Sequence, residues 1–190
     1  MASHANLTAM RSTLKFLLAL SVALVAMMVF RSLAFTLYTV EGEGLSPVFV
    51  AGDRVLVNRW SYGLRTGSDS GLFSYGRLCR RPVSAGDIVA YEDPRDSTHQ
   101  TVLFGRCQAV PGDTVRHTGR QFIVPGLRDC ADCDYYWVHA IGSGNSTDSR
   151  TLGLISEQRI IGRAFLIVYS HDPDSAMLSG WHSDRLFLLE

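Results

Sequence analysis

The sequence predicts a mainly β domain carried behind one membrane-spanning helix. Three observations lead there. A single long apolar run, residues 14–30, lies near the N-terminus. Behind it, Pro, Gly and Asp recur in short clusters among 17 glycines, a punctuation that favours many short strands over helices. Between the clusters stand short runs of strand type, such as the alternating Val55 and Val57 or the apolar residues 88–91. The 190 residues suit one domain plus an anchor. Eighteen basic and 18 acidic residues balance, so no net field favours nucleic acid or an acidic partner. There is no internal repeat and no low-complexity tract.

In chain order, residues 1–13 read as a short polar tail on the cytoplasmic side. Residues 14–37 read as the anchor. Spanning the hydrocarbon takes about 20 apolar residues, so the run is extended past Arg31, which snorkels to the outer interface. Arg11 and Lys15 flank its N-terminal side and leave that end in the cytoplasm, which makes residues 38–190 extracytoplasmic. A cleaved signal peptide begins the same way, but the run is long and Arg31 stands where a small-residue cleavage site is expected. Residues 46–57 then give an extended approach into Pro47, a Gly52-Asp53 turn and a strand over residues 55–59. Residues 66–76 form a loop rich in Gly, Ser and Asp. A second Gly-Asp turn, Gly86-Asp87, leads into a strand over residues 88–91. A third, Gly112-Asp113, ends a strand over residues 101–110. Residues 114–136 form an insertion with a hairpin around Gly119. Residues 135–138 and 165–169 are further strands, and the partial alternation of residues 181–189 adds a last one.

Four of these stretches, in this order, resemble the conserved boxes of the bacterial type I signal peptidases. The first is Gly44-Leu45-Ser46-Pro47 through Gly52-Asp53, closed by Tyr62-Gly63-Leu64-Arg65. The second is Gly86-Asp87-Ile88-Val89 with Pro94 beyond it. The third is Gly105-Arg106 through Pro111-Gly112-Asp113. The fourth is Asn145-Ser146-Thr147-Asp148-Ser149-Arg150. Arg31 also matches an Arg at the end of the family's anchor. The resemblance implies a signal-peptidase-like fold of antiparallel sheets, a single pass through the bacterial cytoplasmic membrane, and extended signal peptides or a secretion or envelope complex as partners. It implies no cofactor and no metal.

It also raises a chemical difficulty. The family's reaction needs a Ser hydroxyl activated by a neutral Lys amine whose pKa is lowered by burial. Aligned on Pro47 and on Pro111, the nucleophile position falls on Gly44 and the base position on Gly105. Eukaryotic relatives place His at the base position, but that position is still Gly105. Lys15, the one lysine in the chain, lies on the far side of the bilayer. Ser146 matches the serine that orients the base, Asp148 and Arg150 match a bracing pair, and Arg106 falls on the family's Arg. The Gly-Asp-Asn that opens the fourth box is replaced by Ala140-Ile141-Gly142. These matches imply a catalytically degenerate member that binds extended chains or serves as an assembly subunit. The alternative is an active serine endopeptidase with a displaced nucleophile, Ser46, and a base such as His139. Ser46 lies roughly 7 Å further along an extended strand than Gly44, and its plainer reading is a turn hydroxyl before Pro47. Among the extracytoplasmic histidines, His99, His117 and His139 precede the fourth box, and His139 lies nearest it.

Cys130 and Cys133 are spaced for a local disulfide in an extracytoplasmic loop. Zinc would require two further ligands, for which Cys79 and Cys107 are candidates in number only. Cys107 reads as a small buried residue.

Overall fold

The computed structural model describes residues 2–41, 44–66, 75–96, 98, 101–129, 132–142 and 147–171. The chain divides into two units at residue 34. The first is a single helix, α1 (Ala2–Ala34). Its stretch Thr13–Phe30 is long and apolar enough to cross a membrane, with a mean hydropathy of 2.3.

The helix ends three residues before the boundary read from sequence. Residues 35–37 belong to a strand, β1 (Phe35–Thr39), paired antiparallel with β2 (Asp53–Asn58) from Phe35↔Asn58 to Thr39↔Arg54. The cause is side-chain type. Phe35, Thr36, Tyr38 and Thr39 are aromatic or β-branched, and they suit a pleated, half-buried edge better than another helical turn.

The second unit is built on one seven-stranded antiparallel sheet, in the order β1-β2-β11-β5-β6-β9-β10. Its further members are β5 (Ile88–Glu92), β6 (Val102–Ala109), β9 (Tyr135–Ala140), β10 (Ile155–Ser156) and β11 (Ile160–Ser170). Two small hairpins attach to it: β3 (Leu64–Thr66) with β4 (Gly76–Leu78), and β7 (Thr114–His117) with β8 (Arg120–Ile123). A one-turn helix, α2 (Ser149–Leu152), precedes β10.

Apolar side chains cover both faces. Val55, Val57, Ile88, Ala90, Phe104 and Ile167 form a core with Leu45 and Phe49. Val89, Tyr91, Cys107, Tyr136, Val138 and Ile160 form a second with Tyr62 and Ile155. In β5, residues 88 and 90 serve the first core and residues 89 and 91 the second. Residues 88–91 are therefore all buried, and they read in sequence as an unbroken apolar run, which Glu92 ends.

The three Gly-Asp turns share one geometry. Gly52, Gly86 and Gly112 have φ of 90, 94 and 94°, a region closed to most L-residues. The Asp that follows turns its carboxylate back onto a backbone N–H three residues earlier: Val50 to Asp53 at 2.8 Å, Ser84 to Asp87 at 3.1 Å and Val110 to Asp113 at 2.9 Å. The β7–β8 hairpin turns at Thr118 and Gly119, both left-handed as a two-residue hairpin demands, where the sequence predicts a turn. It packs Phe122 and His117 onto Trp137. The buried Arg77 side chain fastens the β3–β4 hairpin by donating to the carbonyls of Gly63, Glu157 and Ile160.

Candidate functional site

The position aligned with the family nucleophile lies in a turn. The sequence predicts an extended approach here, but residues 44–48 turn and the Phe49 N–H donates to the Leu45 carbonyl at 3.1 Å. The driving force is burial: Leu45 and Phe49 both enter the first core, and the turn draws the two closer together than an extended strand would. Gly44 and Ser46 therefore do not share the face of a continuous strand.

This turn forms one wall of a groove of about 440 Å³. Tyr38, Thr39, Val40, Glu41, Gly44 and Leu45 line one side, and residues 101–104 line the other. Phe104 sits at its floor, edge-on to Tyr38 at 6.2 Å and tilted against Phe49 at 5.5 Å. Two strand edges border the groove. β1 pairs only with β2, and residues 102–104 of β6 pair with β5, whereas pairing of β6 with β9 begins at Gly105↔Ala140. Each edge presents backbone donors and acceptors that no strand takes up among the described residues.

Gly105, aligned with the family base, looks away from the groove. A Cβ there would stand 2.3 Å from Val138 Cγ1, 2.9 Å from the His139 carbonyl and 3.3 Å from Tyr91 Cε1. Val138 and Tyr91 belong to the second core, on the face opposite Leu45 and Phe104. The groove side of β6 holds Phe104 instead. Among the described lining residues, Tyr38 and Glu41 carry the ionisable side chains. Burial raises the Tyr38 pKa and keeps its hydroxyl protonated.

The fourth box supports the groove from behind. Asp148 is fully buried and caps α2 through a capping box, accepting from Arg150 N at 2.9 Å. It also accepts from Arg150 Nε at 2.8 Å and from Ala140 N at 3.1 Å. Burial would raise its carboxyl pKa, but the Arg150 guanidinium and these backbone donors hold it below the usual range. Asp148 thereby fixes the end of β9, which leads directly into Gly142. That glycine lies against the turn itself: a Cβ on it would stand 2.2 Å from the Gly44 carbonyl oxygen and 2.5 Å from Leu45 Cα. The substitution read from sequence as a departure from the family's Gly-Asp-Asn is thus what lets two backbones touch.

Other sequence candidates fall elsewhere. Arg106 is exposed and donates to the Gly86 carbonyl at 3.1 Å, apart from Asp148 and Arg150. His139 lines a separate hollow with Trp137, Arg116 and Asp113, which shares no lining residue with the groove. Its Nε2 accepts the Trp137 indole N–H at 2.9 Å. Cys107 is buried in the second core, where burial pushes its thiol up to about 12. Cys133 is buried and Cys79 is exposed. Ser146, Cys130, His99 and residues 181–189 lie outside the described residues. Sequence reading missed Tyr38 and Phe104 as groove residues. Their one signal was aromatic side chains beside the first and third boxes.

The model of the family described as signal peptidase, peptidase S26, matches residues 13–128. That span takes in the membrane-length helix, the turn at Gly44 and all of β6, and it stops short of the fourth box. No curated protein matches the chain. With well over half its length covered by that match, the chain belongs to the signal peptidase family, peptidase S26.

Proposed function

We propose that this member is anchored by α1 in the bacterial cytoplasmic membrane and holds extended polypeptide, signal peptides in particular, without cutting it. The domain from residue 38 lies outside the cytoplasm, and the protein serves secretion as a binding or assembly subunit. The observation that carries this reading is a groove with two open strand edges and, among its described lining residues, no serine, lysine or histidine. An extended segment placed there extends the sheet on both sides, a recognition mode that rests on backbone hydrogen bonds. Its alternate side chains meet Tyr38, Leu45 and Phe104, an apolar lining. Gly44 supplies no hydroxyl, and Gly105 faces the wrong core. Removing a nucleophile or its base costs several orders of magnitude in rate, so even one of these losses is decisive.

An active enzyme using Ser46 would need a base in the groove. His139 faces another hollow with its Nε2 already engaged.

Fluorescence anisotropy with a labelled signal peptide tests the binding mode. The unmodified peptide is expected to bind the full chain in detergent, and a peptide N-methylated at alternate residues is expected to fail. Equal binding by both peptides would refute strand addition.

A further inference from the structure

A second hollow, of about 300 Å³, adjoins the groove and shares Tyr38 and Val102 with it. Its chemistry is different. Thr36, Arg59, Arg65, Glu92 and Ile161 complete its lining. Arg65 and Glu92 form a two-pronged ion pair, with N–O distances of 2.5 and 3.4 Å, and their side chains are only 14% and 11% exposed. Those two charges cancel. Arg59 is half-buried and makes no hydrogen bond or ion pair with any described residue, so among the described residues the hollow carries one unbalanced positive charge. Tyr38, kept protonated by burial, and Thr36 add hydroxyl donors.

A guanidinium lacking a carboxylate, flanked by neutral donors, suits a compact anion with several acceptor oxygens. A phosphate ester is that anion. The chain also places the hollow close to a source. Thr36 follows the last helical residue, Ala34, by two positions, at most about 7 Å of chain. The membrane-length stretch ends at Phe30, six residues before Thr36. Headgroup phosphates lie just outside the hydrocarbon.

We infer that this hollow binds the phosphate of an anionic phospholipid headgroup, with Arg59 as its principal ligand. The inference rests on the reading of α1 as a membrane anchor. It gives the domain a second hold on the bilayer, beside the peptide groove.

The test measures the thermal stability of the full chain in neutral detergent while short-chain phosphatidylglycerol, short-chain phosphatidylcholine or inorganic phosphate is added. Phosphatidylglycerol is expected to stabilise saturably. Arg59→Gln is expected to weaken that effect at least tenfold, the scale of one charge-assisted hydrogen bond. Its stability without lipid is expected to match the parent, since Arg59 has no hydrogen-bond or ion-pair partner among the described residues. Arg59→Lys is expected to recover part of the binding, and Arg81→Gln, at an exposed arginine outside the hollow, to change nothing. Equal stabilisation of Arg59→Gln and parent would overturn the inference. So would inorganic phosphate acting at the same concentration as the lipid, which would mark a free-phosphate site. Displacement by an acidic peptide but not by phosphatidylcholine would assign the hollow to the groove's occupant instead, and would equally overturn it. Retention of both proteins in alkali-washed membranes tests the anchor separately. Loss of retention with intact lipid response would refute the anchor alone.

Discussion

Restoring the family's base should fail, and the reason is measurable one atom at a time. Gly105→Ala adds a single methyl, which would meet Val138 Cγ1 at 2.3 Å, the His139 carbonyl at 2.9 Å and Tyr91 Cε1 at 3.3 Å. Val138 is fully buried in the second core and β9 is hydrogen-bonded to β6 at this point, so side chain and backbone must both yield. Overpacking of this kind costs about 1–3 kcal/mol. Against it, replacing a glycine lowers the entropy of the unfolded chain and returns about 0.4–1 kcal/mol. The net loss is about 1–2 kcal/mol, a fall in Tm of about 2–8 °C for a domain of this size. Gly105→Lys meets the same wall and also forces an amine into an apolar core, at a further cost of several kcal/mol if it stays charged. The assay is thermal denaturation of the full chain in detergent, followed by digestion of a preprotein with the Gly44→Ser/Gly105→Lys double variant. A rise in Tm for Gly105→Ala would refute the packing argument. Cleavage by the double variant would refute the assignment of faces.

Three further outcomes follow from the same geometry. Gly142→Ala puts a methyl 2.2–2.6 Å from backbone atoms of Gly44 and Leu45, none of which can rotate away. A loss of about 3 kcal/mol in chemical denaturation, the upper end of overpacking, is expected together with weaker peptide binding. Asp148→Ala removes a helix cap and leaves the Ala140 N–H unpaired, which costs about 1–3 kcal/mol in the same assay. The ion pair itself adds little, because the Arg150 side chain is 55% exposed. The Asp148 carboxyl is held below its unfolded value of about 3.9, so its contribution is complete above that pH and is lost as pH falls through the folded value. Asp148→Asn should therefore unfold with a shallower pH dependence below about pH 4 than the parent.

Much of the fold was legible because its turns are chemically explicit. Gly52-Asp53, Gly86-Asp87, Gly112-Asp113 and Gly119 each mark a strand boundary. The buried run of β5 and the strands β6 and β9 follow from composition alone. What failed was whatever depends on register. Apolar content does not distinguish the end of an anchor from an edge strand, so residues 35–37 read as helix. Aligned spacing put Gly105 in the base position, yet its pairing with Val89 and Ala140 sets its Cα against the second core. The turn at residues 44–48 is fixed by Leu45 and Phe49 seeking a core that no local pattern announces. The contact of Gly142 with Gly44 joins residues nearly a hundred positions apart. The partner of His139 is local, since Trp137 is its neighbour but one on the same face of β9, but strand spacing alone does not say that the indole N–H donates to it.

The most direct measurement incubates the full chain, in detergent or in vesicles, with a preprotein and follows both cleavage and complex formation, with Ser46→Ala alongside. The expected result is intact preprotein retained on the parent and on Ser46→Ala alike. Release of mature protein by the parent, abolished in Ser46→Ala, would contradict the claim that this groove holds polypeptide but does not cut it.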